Sequence, residues 1–247
     1  MNQIQIAITG IRNPETGSIK SILSYSRPGI VPHLFSLLLF FIHCHAVVSA
    51  QDLATVVSGL QQRYADVETI AGDFKQVYRA PGIEQVESGT FRLKRPGLMR
   101  WEYSSPEKWL FIADGRECFS YFPQDRKVTI QPFTVSDLRN TPLELLLGKG
   151  DINNNYTVSW EASSQQRVEG TYVIRLTPRR RVAEYSYIVL ELDRETYDLR
   201  RILICESGGN TSEYFLTNLI TNIKIKDKEF RFKRPKGVEE IRLSNDE

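Results

Sequence analysis

GTFRLKRPGLMRWEY (residues 89–103) has the alternating pattern of a β-hairpin. Every second side chain on the two sides of the Pro96–Gly97 turn is apolar: Phe91, Leu93, Met99, Trp101 and Tyr103. The intervening side chains at positions 92, 94, 100 and 102 are charged, which is typical of paired strands with one buried and one solvated face. Arg95 breaks the pattern, because it occupies the apolar parity at the end of the first strand.

The same period of two continues along most of the chain from Thr69 onward. The predicted strands cover residues 69–79, 84–95, 98–104, 108–114, 117–123, 126–132, 155–162, 168–177, 184–193, 198–206, 211–220 and 229–233. Turn signals such as Pro81–Gly82 and Asp114–Gly115 separate them. Because these short strands follow one another without alternating helices, the sequence predicts a mainly β protein of the α+β class, with an antiparallel sheet that curls strongly on itself.

An amphipathic helix precedes the strands. Apolar residues recur at helical spacing at Leu53, Val56, Val57, Leu60 and Tyr64, with Gln51 or Asp52 near the start. We expect this helix to pack on the sheet. A helix lying on a membrane surface is the less favoured alternative, because the polar face is not notably basic.

A second, shorter helix is predicted in NTPLELLLGKG (residues 140–150). Thr141 begins a Thr-x-x-Glu capping box that Glu144 completes, Pro142 takes the first helical position, and Gly148 ends the helix. Its apolar stripe consists of Leu143, Leu146 and Leu147, with Leu145 beside it. A helix this short must lie on an apolar surface to be stable. It is either a plug in the core or a lid over a hydrophobic cavity, and we call residues 141–148 the lid segment.

The N-terminus has the order of a secretory signal. An apolar run at residues 34–48 follows three basic residues and precedes Ser49–Ala50. This order predicts a leader over residues 1–50, cleavage near Ala50–Gln51 and a single domain over residues 51–247. A retained membrane anchor is the alternative, but it needs about 20 apolar residues.

Removal of this leader changes the chemistry of the chain. The full chain has 32 basic and 30 acidic residues, and the leader holds three and one of them, so 29 of each remain. A chain with no net charge lacks the strong positive field that attracts nucleic acids or anionic membranes. All three histidines also lie in the leader, at positions 33, 43 and 45. Ser/His or Cys/His catalysis is thereby excluded, and no metal or cofactor is expected.

The remaining candidates for other chemistry are few. Glu184 and Glu191 are paired carboxylates of the kind a hydrolase uses, but no nucleophile or metal motif accompanies them. We therefore expect no enzyme. Cys118 and Cys205 lie in separate predicted strands. They either form a disulfide or serve as small buried apolar residues.

Five segments resemble the LolA family of periplasmic lipoprotein carriers, in the family's order along the chain. They are DFKQVY (73–78), GTFRLKRPGLMRWEY (89–103), DGRECFSYFP (114–123), NTPLELLLG (140–148) and FRFKRPKGV (230–238). The resemblance implies an unclosed antiparallel β-barrel with a helical lid that holds lipoprotein acyl chains. It also implies loading by an inner-membrane ABC transporter and delivery to an outer-membrane receptor. We expect a monomer. The alternatives are a periplasmic lipid or glycolipid carrier and a lipoprotein-sensing regulator with the same barrel.

The site residues follow from this resemblance together with the pattern. Arg95 is expected to latch the lid by donating to the last helix carbonyls around Leu145–Leu147; the alternative is an ordinary surface ion pair. The lid face comprises Pro142, Leu143, Leu146 and Leu147. Candidate cavity-lining side chains are Phe91, Leu93, Trp101, Trp109 and Phe111, with Phe119 and Phe122 as further aromatics, although each of these aromatics is also an ordinary core candidate.

Leu98 and Met99 follow the Pro96–Gly97 turn and form a candidate docking tip for the transporter. In the family this region lies near the open mouth, and Met99 stands where an aromatic residue is usual. An exposed apolar tip fits a partner site. The alternative is a side chain folded into the cavity.

Overall fold

A computed structural model describes residues 52–138, 144, 146–147, 151–162 and 165–243. Across this part of the chain, twelve strands form one sheet: β1 (Thr69–Ala80), β2 (Ile83–Lys94), β3 (Leu98–Ser105), β4 (Trp109–Ala113), β5 (Glu117–Phe122), β6 (Lys127–Pro132), β7 (Tyr156–Trp160), β8 (Thr171–Pro178), β9 (Tyr185–Asp193), β10 (Leu199–Glu206), β11 (Thr211–Thr221) and β12 (Glu239–Arg242). The helices are α1 (Leu53–Ala65), α2 (Ile152–Asn155) and two 3₁₀ turns, Val135–Leu138 and Asp227–Phe230.

The sheet is unclosed. Its strand order is β12-β6-β5-β4-β3-β2-β1-β11-β10-β9-β8-β7, so β12 and β7 are the edges. Neighbours pair antiparallel except β12, which runs parallel to β6. Cys118 on β5 and Tyr156 on β7 belong to the same core cluster although eight strands separate theirs, so the sheet must curl. The predicted fold class is thus confirmed.

The hairpin of residues 89–103 forms as predicted. Phe91 pairs with Trp101 and Leu93 with Met99 across β2 and β3, and all four side chains are buried. We call the face that carries them the concave face and the opposite one the convex face. Gly89 has room for no side chain, because a Cβ would lie 1.9 Å from the carbonyl oxygen of Glu102.

Helix α1 packs on the core with the face that the sequence predicts. Val56, Val57, Leu60 and Tyr64 are all at most 3% exposed. Asp52 is its N-cap residue, and the backbone N–H of Leu199 donates to the Tyr64 hydroxyl over 3.0 Å. The helix therefore has a fixed register against β10. No helix in the described ranges is long and apolar enough to span a bilayer.

The predicted strand at 229–233 is wrong. Residues 227–230 form a 3₁₀ turn, and the last strand is β12, further along the chain. The apolar alternation arises because Phe230 is fully buried and Phe232 stacks on Phe119, with ring centroids 5.3 Å apart, rather than from a strand ladder. Phe119 accordingly lies on the convex face, in a second small cluster with Ile112, so it does not line the concave face.

A buried ion network crosses β9, β10 and β11. Arg201 donates to Glu191 over 2.7 Å and also bonds Glu213, and all three side chains are at most 5% exposed. Glu191 also accepts from the backbone N–H groups of Arg167 and Val168 at 2.8 Å. Burial opposes ionisation of Glu213, but the hydrogen bond from Arg79 and the charge of Arg201 outweigh it, so its pKa is lowered.

Candidate functional site

Arg95 joins two separate segments at the end of β2. Its Nε donates to the carbonyl oxygen of Leu147 over 2.8 Å, so it reaches the lid segment. Its Nη2 donates to the carbonyls of Tyr64 and Ala65 at 2.9 and 2.7 Å. Nη1 also lies 3.5 Å from the exposed carboxylate of Glu68, so the ion pair named as the alternative exists beside the bond to Leu147. The planar guanidinium is suited to this many acceptors because it offers five donors in a fixed fork.

The acceptors on α1 are the part of this site that sequence reasoning missed. Tyr64 and Ala65 are the last residues of α1, where carbonyls lack helical partners and the helix dipole is negative. A cation is stabilised at this position. The basic residue Arg63 in the same turn is bound to Asp198 instead, over 2.8 Å. Arg95 therefore provides the charge that contacts both α1 and the lid segment.

The lid segment is described at three residues. Glu144 and Leu146 have helical conformation, and Leu147 follows in a turn. Leu146 and Leu147 are 1% and 2% exposed and belong to the main core cluster. Pro142 and Leu143, also expected on the lid face, lie outside the described residues.

Two buried tyrosines in the core feel the charge of the lid segment. The hydroxyls of Tyr156 and Tyr185 are 2.8 Å apart and buried. Burial raises the pKa of both tyrosines, and the charge of Glu144 contributes to the shift. The carboxylate of the lid segment thus lies close enough to the Tyr156–Tyr185 pair to influence it.

The candidate cavity-lining residues share one core cluster with two residues of the lid segment. Phe91, Leu93, Trp101, Trp109 and Phe111 are all buried in the cluster that includes Leu146 and Leu147. Several aromatic rings form two stacks across β2 to β5, which we call the aromatic wall, and the ring of Phe74 joins the stacks through edge-on contacts with Trp101 and Tyr103. Phe91 stacks on Trp101 with centroids 4.8 Å apart, and Trp109 stacks on both Tyr103 at 3.7 Å and Phe122 at 5.3 Å.

Met99 is not an exposed tip. Its side chain is 0% exposed and lies in the core cluster, so the expectation of a surface residue there is wrong. The reason is the hairpin register: Met99 pairs with Leu93 on one side and Ala113 on the other, and both point to the concave face. Leu98 has the opposite parity. It is half-buried and lines a convex-face cavity of about 400 Å³ with Phe230 and Arg231.

Polar side chains also lie on the concave face, among the apolar ones. Gln76 and Glu87 are opposite each other on β1 and β2 and are 1% and 7% exposed. Tyr103 donates to Gln76 over 3.0 Å, and the Trp109 indole donates to Glu87 over 3.0 Å. The sequence analysis did not predict this row of polar side chains. The signal for it was the same as for Arg95: a polar residue stands where the alternation of the strand calls for an apolar one.

The residues considered for other chemistry do not come together in the structure. Glu191 is held in the Arg201 network, whereas Glu184 is exposed, so the two do not form a carboxylate pair. Cys118 and Cys205 are both free, Cys118 buried and Cys205 half-buried. Within the described ranges, no three His, Cys, Asp or Glu side chains are grouped to bind a metal ion.

Comparison with known proteins gives consistent matches. The family model described as "Outer membrane lipoprotein carrier protein LolA" matches residues 65–233, more than half of the chain. A protein of Neisseria meningitidis serogroup C named outer-membrane lipoprotein carrier protein is 31% identical over 209 residues, which cover 84% of this chain and 97% of that protein. The protein of the same name from Aeromonas salmonicida is 32% identical over 196 residues, covering 78% and 92%.

Solved structures also align with this chain. A LolA superfamily protein from Nitrosomonas europaea is 12% identical and covers 74% of this chain and 99% of its own, with a TM-score of 0.39. The sequence matches are much stronger and cover most of both chains. The chain therefore belongs to the LolA family of outer-membrane lipoprotein carrier proteins.

Proposed function

We propose that this chain is a carrier that binds the acyl chains of lipoproteins on its concave face and ferries lipoproteins from the inner to the outer membrane. The observation that carries the proposal is the contact of Arg95 with Leu147, which holds the lid segment over an aromatic wall. The names of the related proteins support the same cargo.

Such a carrier must also release its cargo. Each buried methylene is worth about 0.8 kcal/mol, so a fully enclosed anchor with several acyl chains would dissociate too slowly. In this fold, Leu146 and Leu147 are buried in the same core cluster as the aromatic wall. Cargo must displace them and break the hydrogen bonds of Arg95. The closed state thus competes with cargo and lowers its net affinity.

The remaining parts of the proposal concern place and partners. Residues 1–50 serve as a leader that is cleaved near Ala50–Gln51, and the carrier works in the periplasm as a monomer without a cofactor. An inner-membrane ABC transporter loads it and an outer-membrane receptor, where present, unloads it. The carrier has no catalytic activity. Of the docking residues named from the sequence, Leu98 remains a surface candidate, whereas Met99 is buried.

Mass spectrometry of the lipids and proteins that copurify with the chain from the periplasm tests this function. Lipoproteins carrying intact acyl groups are the expected cargo. Copurifying glycolipid or free phospholipid without lipoprotein would support the lipid-carrier alternative. A stable complex with a single non-acylated regulatory protein would support the regulator alternative.

A further inference from the structure

The polar row on the concave face contains a hydroxyl group that has no partner among the described residues. Tyr214 on β11 pairs across strands with Gln76 on one side and Ile202 on the other, so its side chain lies on the concave face. The residue is 5% exposed and belongs to the core cluster, where its ring lies 6.3 Å from that of Trp101. Among the described residues, its Oη has no hydrogen-bond partner.

An unpartnered buried hydroxyl destabilises the fold, because the group loses its hydrogen bonds to water and gains none in return. Buried polar groups without partners are uncommon, and a functional role is one explanation for those that remain. The neighbouring polar groups bond to other side chains: Tyr103 donates to Gln76, and the Trp109 indole donates to Glu87. Phenylalanine would fill the same space on β11 without this penalty.

The hydroxyl is available as a donor. Burial raises the pKa of Tyr214 well above its ordinary value, and the charges of Tyr103, Glu87 and Glu206 act in the same direction. The group therefore keeps its proton at physiological pH. The hydroxyl is buried in the core cluster, where a donor without an acceptor costs more than it would in water and a donor that finds one is bonded more strongly.

The cargo of the proposed function has the complementary group. Acyl chains of lipoproteins are linked through esters and amides, and an ester carbonyl accepts hydrogen bonds but donates none. When such a carbonyl enters an apolar site it loses its water partners and needs a donor. We propose that Tyr214 Oη donates a hydrogen bond to an acyl carbonyl of the cargo, which makes Tyr214 a specificity-determining residue for ester-linked lipids. This inference rests on the proposed function, since it requires acyl cargo on the concave face.

Two synthetic lipopeptides of equal chain length, one with ester-linked and one with ether-linked chains, test the inference. The purified protein should bind the ester form about fivefold more tightly than the ether form, as expected for one neutral hydrogen bond. In Tyr214→Phe this preference should fall to about one, with the affinity for the ether form unchanged. Tyr121→Phe on the half-exposed convex face is the matched control and should keep the wild-type preference.

Stability gives a second readout that does not depend on the ligand. Because Tyr214→Phe removes an unpartnered hydroxyl, the variant should melt at the same temperature as wild type or higher. An undiminished ester preference in Tyr214→Phe, or marked destabilisation of that variant, would overturn the inference. Failure of wild type to bind either lipopeptide would overturn the proposed function instead. A phospholipid with ester-linked chains that binds more tightly than the lipopeptide would support the hydrogen bond but assign it to a free lipid.

Discussion

Arg95 Nε lies 2.8 Å from the carbonyl oxygen of Leu147, and this contact connects the end of β2 to the lid segment. The same guanidinium donates to the last two residues of α1. Hydrogen bonds to charged groups contribute about 1.5–3 kcal/mol each. Loss of one would shift the closing equilibrium of the lid about 10- to 150-fold, because every 1.4 kcal/mol is a factor of ten.

Leu146→Glu tests whether the leucine pair is a lid or a permanent part of the core. The side chain is 1% exposed, so a carboxylate there is driven out of its apolar contacts. We expect the segment to open, binding of an apolar fluorescent dye to rise several-fold, and the β signal in circular dichroism to persist. Ile83→Glu, at an apolar residue that is already 40% exposed, is the control and should leave dye binding unchanged. Global unfolding of Leu146→Glu would show that the pair is core.

The thiols of Cys118 and Cys205 should react independently. Burial is the main cause that raises the pKa of Cys118 to about 12, and it also raises that of Cys205, which is only half-buried. In the native protein we expect alkylation of Cys205 to be much faster than that of Cys118. After unfolding without a reductant, peptide mapping should find both thiols labelled. Peptides that remain linked through these two cysteines would contradict the free thiols of the structure.

The Arg201 network should stabilise the fold in a pH-dependent way. Arg201→Met leaves Glu191 buried without its cation and Glu213 with Arg79 alone, and breaking a buried pair costs about 3–5 kcal/mol. The lowered pKa of Glu213 stabilises the native state above the unfolded-state pKa, and this contribution is lost as the pH falls through the folded-state pKa. The destabilisation by Arg201→Met should therefore be largest at pH 7 and smaller at pH 3.

Urea unfolding at the two pH values measures this difference. Arg242→Met is the matched control, because Arg242 pairs with two carboxylates on the surface, and its free energy of unfolding should hardly change. An equal penalty for Arg201→Met at pH 7 and pH 3 would mean that packing, not charge, explains the role of Arg201.

The hairpin shows which features the sequence alone predicts correctly and which it does not. Alternation placed Phe91 and Trp101 on the buried face and made Arg95 conspicuous, because those features depend on neighbours close in the chain. The same rule predicts that Met99 is buried, whereas the resemblance to the family suggested an exposed tip. The structure shows that Met99 is buried. The pattern of the chain itself was the better guide at that position.

Long-range partners could not be read from the pattern. The acceptors on α1 for Arg95 lie 30 and 31 residues away and depend on how that helix is placed against the hairpin. Strand β12 has the mostly charged sequence EEIR, which shows no apolar alternation. It forms because its backbone pairs with the edge strand β6, a contact that the sequence pattern does not reveal. Phe119 and Phe122 are three residues apart on β5, so alternation places them on opposite faces, and only the strand register decides which of the two lies on the concave face.

Transfer of bound lipoprotein from Arg95→Leu to acceptor membranes or receptor tests the central claim most directly. Arg95→Leu should fold and load normally, since the side chain contacts backbone carbonyls rather than the apolar wall. It should retain its cargo because the closed state no longer competes, and Arg95→Lys should be intermediate because it loses the planar fork. Arg63→Leu, which removes a cation from the same end of α1 without a bond to Leu147, is the control and should release cargo like wild type. The account predicts at least tenfold slower release from Arg95→Leu than from Arg63→Leu; equal release from the two variants would contradict it.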